Sequence, residues 1–238
     1  HIDTWPIDLN GLTALLKDKT EIDRMAQEDG DVYVSTLDEG LLGFHGLEYI
    51  FFEKGENKDV TKITDDELTY SAAIAGDLRN QCFRLEAAWA GIDNVSADKK
   101  QKLTDIDAEI TYEGTIYYYG EAMKTPGITD FCKTAMDACE TILEGCFTIA
   151  DEVAAAKIGK PFTGEDINYI ESPYSYNSKI DFVGNIESIR NAYMGGVVGK
   201  RGSSLSEYFQ TIDLDVDKEM KEAIENADYV LIGGGAGL

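Results

Sequence analysis

The sequence predicts an all-α protein made of two packed bundles of up-down antiparallel helices. Three observations support this prediction: apolar residues recur at steps of three and four, capping residues precede several of these segments, and no alternating runs flank a hairpin turn. Long helices joined by short loops pack as antiparallel bundles. We expect an N-terminal helical half over 1–125 and a C-terminal half over 126–238, with the break at Thr125-Pro126-Gly127.

The clearest helix is predicted to follow Thr64. Thr64 and Glu67 form a capping-box pattern, in which each side chain satisfies a free backbone amide of the other residue. Gly91 is a suitable C-terminal stop. The apolar stripe between them consists of Leu68, Ala72, Ala75, Leu78, Cys82, Leu85 and Trp89.

Four further segments have helical periodicity, and they cover about 98–123, 130–157, 178–194 and 214–230. Gly159 and Pro161 are predicted to end the second of these helices. The third has a weak cap signal from Ser178 and Asp181. Its apolar face consists of Phe182, Ile186, Ile189 and Tyr193.

Charge restricts the possible partners of the chain. The 45 acidic and 21 basic residues give a formal charge of −24. Nucleic acid is not an expected partner, because there is no excess of Lys and Arg to displace its counterions. Binding to anionic lipid is disfavoured for the same reason. The excess negative charge serves solubility or creates a field that concentrates cations.

The cysteines predict neither a redox pair nor a zinc cluster. Cys132, Cys139 and Cys146 are seven residues apart, which on one helix is roughly 10.5 Å between neighbours and too far for a disulfide. No C-x-x-C pattern occurs. We interpret these three cysteines and Cys82 as small core residues.

The segment from Glu39 to Phe52 carries the strongest candidates for a functional site. As a helix, it places His45 and Glu48 on one stripe with Leu41 and Phe52, inside an otherwise apolar surface. Burying an unpaired carboxylate is costly, so Glu48 needs a partner. A cation is one candidate and His45 itself another, the latter as a buried His–Glu hydrogen bond in a crowded helix contact.

Glycines recur every three residues in this segment, at Gly40, Gly43 and Gly46. Each costs about 1 kcal/mol relative to Ala inside a helix. Three in register indicate that another backbone or a ligand approaches closely.

Two zinc-peptidase motifs are absent here. H-E-x-x-H fails at Gly46, and both it and H-x-x-E-H fail at Tyr49. The other histidine is His1. One histidine with carboxylates suits a harder metal such as iron, manganese or calcium better than a catalytic zinc, so peptidase activity is doubtful.

Four stretches resemble the imelysin-like family. Gly43-Phe44-His45-Gly46-Leu47-Glu48 matches its G-x-H-x-x-E signature, and residues 2–8 resemble its I-D-x-W-P element. Residues 149–162 resemble the end of its long central helix. Residues 171–182 are similar to its E-S-x-F-S-x-N-S segment. The stretches come in family order and cover about residues 1–225.

The resemblance implies a two-part helical fold with the G-x-H-x-x-E site near the junction of the parts. It implies a secreted, periplasmic or cell-surface protein, in some members an outer-membrane lipoprotein, that is associated with iron uptake. Some members are classed as metallopeptidases. Members usually carry further helices at both ends, so we expect this chain to be truncated at one or both ends.

The resemblance also assigns a role to the segment after Glu171. Ser172 precedes Pro173, which favours an extended conformation and an irregular loop. We expect His45 and Glu48 to bind the metal, with Glu171, Ser172 and Asp181 facing them. Additional ligands or residues that orient the ligands are Glu171, Ser172, Ser175 and Asp181. The alternative is turn and cap chemistry, with Ser178 as the N-cap.

Three functions remain open from the sequence. The first is an envelope protein that binds a divalent or trivalent metal ion, with iron the expected one, or a metal-bearing ligand. The second is a zinc metallopeptidase in which Glu48 is the general base and His45 a zinc ligand. The third is a recognition module in which both residues are structural. Any contact with a membrane is expected only through a lipid anchor outside the chain, and the oligomeric state is left open.

Overall fold

The protein is described by a computed structural model that covers residue 2 and residues 4–233. His1, Asp3 of the I-D-x-W-P element, and the glycine-rich end at 234–238, which the sequence suggests is a disordered tail or a truncation, lie outside the described residues. The chain divides into two compact units, residues 1–133 and 134–238. The fold is all-α, as the sequence predicts.

The first unit packs short helices against one long helix. Its described α-helices are α1 (Leu9–Leu15), α2 (Lys19–Met25), α3 (Gly30–Tyr33), α4 (Gly43–Phe51), α5 (Asp65–Ala90), α6 (Ala97–Asp105) and α7 (Tyr119–Lys124). A two-residue hairpin follows α4, with β1 (Phe52–Glu53) antiparallel to β2 (Glu56–Asn57). Lys54 and Gly55 turn the chain with φ of 55° and 84°, the left-handed pair that a tight hairpin requires.

The second unit contains longer helices. Its described helices are α8 (Ala135–Asp151), a π-helix (Glu152–Gly159), α9 (Lys160–Thr163), α10 (Ser178–Tyr193), α11 (Leu205–Ile212) and α12 (Leu214–Ile232). Its core is formed by α8, α10, α11 and α12, through Cys146, Ile186, Ile189, Tyr193, Leu205 and Ile224.

The core of the first unit lies where α4 packs on α5. Tyr70 and Ile74 of α5 and Ile50 of α4 are fully buried. Leu12 of α1 and Val34 after α3 complete the same cluster. Helix α4, which carries the candidate site, is therefore fixed by the N-terminal half of α5.

Helix α5 has the predicted ends but buries a different face. Thr64 and Glu67 form the capping box, and Gly91 is the C-cap. The predicted apolar stripe, however, is largely exposed: Leu68, Leu85 and Trp89 are 45%, 52% and 49% exposed. The buried face consists of Tyr70, Ser71, Ala73, Ile74, Asp77, Leu78, Asn80 and Ala87. The core interpretation of Cys82 is wrong, since this thiol is exposed, whereas Cys132 and Cys146 are buried.

The predicted helix over 98–123 is interrupted. Helix α6 ends at Asp105, and Asp107 and Glu113 have φ of 49° and 41°, which a right-handed helix cannot contain. Between α6 and α7, Tyr112 packs on Phe131 with ring centroids 5.5 Å apart, and Tyr119 packs on the same ring. This aromatic cluster outweighs the helical periodicity of the segment.

The helix predicted over 130–157 begins at Ala135 and does not stop at Gly159. Thr134 and Asp137 cap its start. The chain continues through the π-helix into α9, and Pro161 lies in the first turn of α9. Gly164, with φ of 78°, ends the run. The prediction that Gly159 and Pro161 end the helix is therefore wrong.

Helix α10 agrees with its predicted apolar face, because Phe182, Ile186, Ile189 and Tyr193 are all buried. Within the described residues, none of the helices is both long and apolar enough to cross a lipid bilayer.

Candidate functional site around His45

The N-terminal segment, residues 2–8, is hydrogen-bonded to the G-x-H-x-x-E segment at two points. The Phe44 amide donates to the carbonyl of Ile2 at 3.2 Å, and the Asp8 amide donates to the carbonyl of Gly40 at 2.9 Å. Trp5 lies between these two contacts along the chain. The two motifs are 40 residues apart in sequence but form one local structure.

Trp5 packs its indole ring on the imidazole of His45. The ring centroids are 4.6 Å apart and the planes are tilted by 38°. His45 is only 5% exposed, although it belongs to the first half of a short helix. The ring contact and the burial restrict the imidazole to a small range of orientations, which favours a defined binding or packing role over a solvated one.

Glu48 follows His45 by three residues on α4. Residues three apart in a helix are neighbours on its surface, so the imidazole and the carboxylate belong to one face. Glu48 is half-buried, while Phe44 at the start of the helix is 56% exposed. The predicted pair is therefore brought together on one helix, with the histidine deeper than the carboxylate.

Tyr70 of α5 fixes the start of α4. Its hydroxyl donates to the carbonyl of Leu41 at 2.6 Å and is buried with the rest of the ring. Burial raises the pKa of this phenol, so it remains a donor at neutral pH. A Cβ on Gly46 would lie 2.4 Å from the Tyr70 oxygen. The glycine repeat predicted the approach of another backbone or a ligand, but the group that approaches Gly46 is a tyrosine side chain of the protein.

The other two positions of the repeat favour glycine for different structural reasons. Gly40 lies in a 3-10 turn, Glu39–Leu41, beside Asp8 and Asp38. Gly43 has φ of 82°, a conformation that L side chains rarely adopt.

Asp77 is a buried carboxylate that the sequence analysis missed. It is 1% exposed on the same face of α5 as Tyr70 and Ile74. Gln81 donates to it at 2.9 Å, and Arg84 donates to Gln81 at 3.0 Å. Burial raises the pKa of Asp77, and the hydrogen bond from Gln81 opposes that rise. Only its spacing from Tyr70 and Ile74 could have indicated burial, and the exposed apolar stripe concealed it.

A comparison with protein families identifies the family to which the two motifs belong. The family model described as imelysin, peptidase M75, matches residues 1–231. The chain belongs to the imelysin family. The resemblance inferred from the motifs is therefore confirmed, and no curated protein matches the chain.

One solved structure supports the imelysin assignment. It is a crystal structure of a protein assigned as an iron-regulated protein A precursor from Parabacteroides distasonis ATCC 8503. The two chains are 26% identical, with a TM-score of 0.70 over 99% of this chain and 64% of that one. This imelysin chain thus spans less than two thirds of the length of that relative.

The described residues do not form a complete site for a metal ion. Among residues 2 and 4–233, no group of three or more His, Cys, Asp or Glu side chains is arranged to hold a metal ion. His45 and Glu48 supply two donors of suitable type, an imidazole and a carboxylate. If the imelysin motif holds a metal ion, these two side chains would form only part of its coordination shell.

The segment 171–181 of the imelysin chain folds on its own neighbours. Glu171 pairs with Lys157 at 2.9 Å, and both side chains are largely buried. The Ser172 hydroxyl donates to Asp181, and the Ser172 amide donates to the Ser178 hydroxyl at 3.0 Å. The Ser178 cap prediction is wrong, because the N-cap of α10 is Asn177 and the Ser178 oxygen accepts from the loop instead.

The additional ligands predicted for the metal are in the second unit, whereas His45 and Glu48 are in the first. Ser172 and Ser175 are buried, and Glu171 and Asp181 are half-buried. That Glu171, Ser172 and Asp181 face His45 and Glu48 stays a prediction.

Proposed function

We propose that the protein is a cell-envelope metal-binding protein of the imelysin family that serves iron uptake, with His45 and Glu48 as ligands. The observation that supports this most is the convergence of the two motifs: Trp5 orients a nearly buried imidazole, and a carboxylate follows three residues later. A metal ligand needs a fixed ring orientation, and the tryptophan contact supplies one for this imidazole.

Iron is the proposed ion for two reasons. An imidazole with oxygen donors and no thiolate suits iron or manganese, with zinc as the alternative. The related solved protein is named as iron-regulated, and its precursor form is consistent with an exported protein. The partner is then a metal ion or a metal-bearing ligand at the periplasm or cell surface.

The remaining donors are proposed to come from the predicted segment of the second unit. Glu171 and Asp181 would supply carboxylate oxygens or orient the other ligands, with Ser172 and Ser175 in support. Because Glu171 already pairs with Lys157 and Asp181 with Ser172, metal binding would require these contacts to be shared or exchanged.

Calorimetric titration with Fe²⁺, Mn²⁺, Zn²⁺ and Ca²⁺ tests the proposal. We expect binding to the wild type and a loss of at least tenfold in affinity for His45→Ala and for Glu48→Gln, which keeps the size of the side chain. Glu53→Ala, which removes an exposed carboxylate just after α4, is the matched control and should bind as the wild type does. The titrations are done near 0.15 M salt, which screens the non-specific attraction between cations and a chain with a formal charge of −24.

Unchanged affinity in both variants, with the helical circular dichroism preserved, would contradict the proposal. Binding that Glu53→Ala weakens equally would show diffuse attraction in place of a site. Incubation of the metal-loaded protein with an unfolded protein substrate distinguishes a peptidase, and we expect no cleavage.

A further inference from the structure

A cavity of about 300 Å³ lies at the C-terminal end of α5, in the first unit. It is formed by residues from the end of α5, the turn after it, and α7. Its main lining residues are Trp89, Asp93, Asn94, Tyr118, Glu121 and Lys124. Its volume is at the lower end of the range for small-ligand pockets. None of these residues belongs to the imelysin motifs.

Two glycines shape this cavity. A Cβ on Gly120 would lie 1.9 Å from the Trp89 carbonyl oxygen, so α7 can approach the end of α5 only because this position is glycine. Gly91 has φ of 87° and would place a Cβ 3.5 Å from the Tyr118 ring. The aromatic residues are therefore held by close backbone packing.

Trp89 supplies an open aromatic wall. It is 49% exposed, although a tryptophan gains more from burial than most side chains. One part of its ring contacts Tyr119, with centroids 6.4 Å apart. Tyr118 lines the cavity beside it and is half-buried. An exposed flat ring in a concave site is suited to a ligand that has a flat apolar face.

The rim of the cavity offers hydrogen-bonding groups of both kinds. Within the described residues, the side chains of Glu121 and Lys124 make no hydrogen bond or ion pair, so one acceptor and one donor are available. Asp93 pairs through one oxygen with Lys100 at 2.5 Å. Asn94 donates to the Ala90 carbonyl at 2.7 Å, which leaves its side-chain oxygen as an acceptor.

The local charge is nearly balanced, unlike that of the whole chain. The lining residues Asp93 and Glu121 are acidic and Lys124 is basic, and Lys100, which lies outside the lining, pairs with Asp93. A cationic ligand would be favoured by an excess of carboxylates, and an anionic ligand by an excess of bases. A nearly balanced rim around an aromatic wall favours a neutral ligand rich in hydroxyl groups.

We propose that this cavity binds a neutral saccharide. A pyranose ring has an apolar C–H face, which would pack on Trp89, and a rim of hydroxyl groups. Each hydroxyl both donates and accepts, as Glu121, Lys124 and the Asn94 oxygen together require. The site is independent of His45, so it gives the protein a carbohydrate contact that is separate from any metal ligand.

Saturation-transfer difference NMR with maltose, cellobiose and diacetylchitobiose tests this site, because the method detects weak binding of small ligands. We expect transfer from the wild type to at least one disaccharide and an affinity at least tenfold lower in Trp89→Ala. Trp89→Phe, which keeps an aromatic face, should retain part of the affinity. Leu85→Ala removes an apolar side chain of similar exposure one turn earlier on α5 and should bind as the wild type does.

Absence of transfer to all three disaccharides would overturn the proposal, as would equal transfer from the wild type and Trp89→Ala. Choline serves as a cationic probe in the same experiment. Binding of choline without binding of any disaccharide would also overturn it, because the aromatic wall would then serve a cation.

Discussion

The contact between Gly46 and Tyr70 shows how one residue without a side chain fixes the candidate site. Tyr70 has no room for its hydroxyl unless residue 46 lacks a Cβ. The hydroxyl in turn satisfies the carbonyl of Leu41, just before α4 begins. His45, the neighbour of Gly46, is therefore held in place by a hydrogen bond that it does not make.

Gly46→Ala is expected to destabilise the fold by about 1–3 kcal/mol, because the new methyl group overlaps the Tyr70 oxygen. The same substitution should cost less in a Tyr70→Phe background, where that oxygen is absent. Urea unfolding of the four proteins measures the coupling. Gly184→Ala, a helical glycine with open space around it, is the control and should be neutral or stabilising by up to about 1 kcal/mol. An equal cost in both backgrounds would contradict the contact.

At the residue scale, the sequence predicts His45 and Glu48 as a pair because both lie on an apolar helix. It does not predict the contact with Trp5, since that contact depends on how residues 2–8 return to the start of α4. Asp77 was missed for a related reason: a carboxylate is normally exposed, and only the tertiary packing of α5 buries it.

At the scale of elements, the loop before α10 is stabilised by side chains of that helix. Ser172 is 9% exposed, and its amide has the Ser178 hydroxyl as acceptor. Its own hydroxyl donates to Asp181. The segment that the sequence suggested as a source of metal ligands is thus also a folded, internally bonded loop.

Ser178→Ala should lower the free energy of unfolding by about 1–3 kcal/mol, because it leaves the Ser172 amide buried without an acceptor. Ser188→Ala, on the same helix, removes the hydroxyl of an exposed residue. Within the described residues this hydroxyl donates to the Asn185 carbonyl, and its loss should change stability by less than about 0.5 kcal/mol. Chemical unfolding followed by circular dichroism compares the two. Equal stabilities of the two variants would mean that the Ser178 contact is unimportant.

The ends of α5 are better predicted than its buried face. Thr64 and Gly91 bound α5 because caps are local chemistry. The buried face was mistaken because α5 has apolar residues on two sides, and periodicity alone does not say which side meets the core. The break after Asp105 was missed because the contacts of Tyr112, Tyr119 and Phe131 are non-local.

At the scale of the whole molecule, each unit contains a carboxylate anchored by cations. Asp31 accepts from Lys102 at 2.6 Å and Arg79 at 2.7 Å in the first unit. Asp217, which is 2% exposed, accepts from Lys221 at 2.8 Å in the second. For both groups burial alone would raise the pKa, but hydrogen bonds and cations outweigh it and leave the pKa below its usual value of 3.8.

The sign of the pH dependence follows from these shifts. As the pH falls, the unfolded chain binds protons at these positions before the folded chain does. The two carboxylates therefore stabilise the fold above about pH 3.8, and this stabilisation is lost as the pH falls through their lowered folded-state pKa values.

Asp31→Asn and Asp217→Asn should each lower the free energy of unfolding at pH 7, and the difference from the wild type should shrink below pH 3.8. Urea unfolding at pH 7, 5 and 3 measures it. Asp215→Asn, whose side chain is 87% exposed, is the control and should follow the wild type at every pH. A difference that stays constant with pH would contradict the assigned shifts.

The exposed face of α5 has a practical consequence. Cys82 is the exposed thiol on this helix, whereas Cys132 and Cys146 are buried and Cys139 is half-buried. At 1.5 Å per residue, Cys82 is roughly 18 Å along the helix from Tyr70 and roughly 10 Å from Trp89. One maleimide fluorophore at Cys82 would therefore label a helix that contributes to both the His45 site and the proposed saccharide cavity. A change in its emission on adding a metal ion or a disaccharide would show whether binding at one site changes the environment of the helix between the two sites.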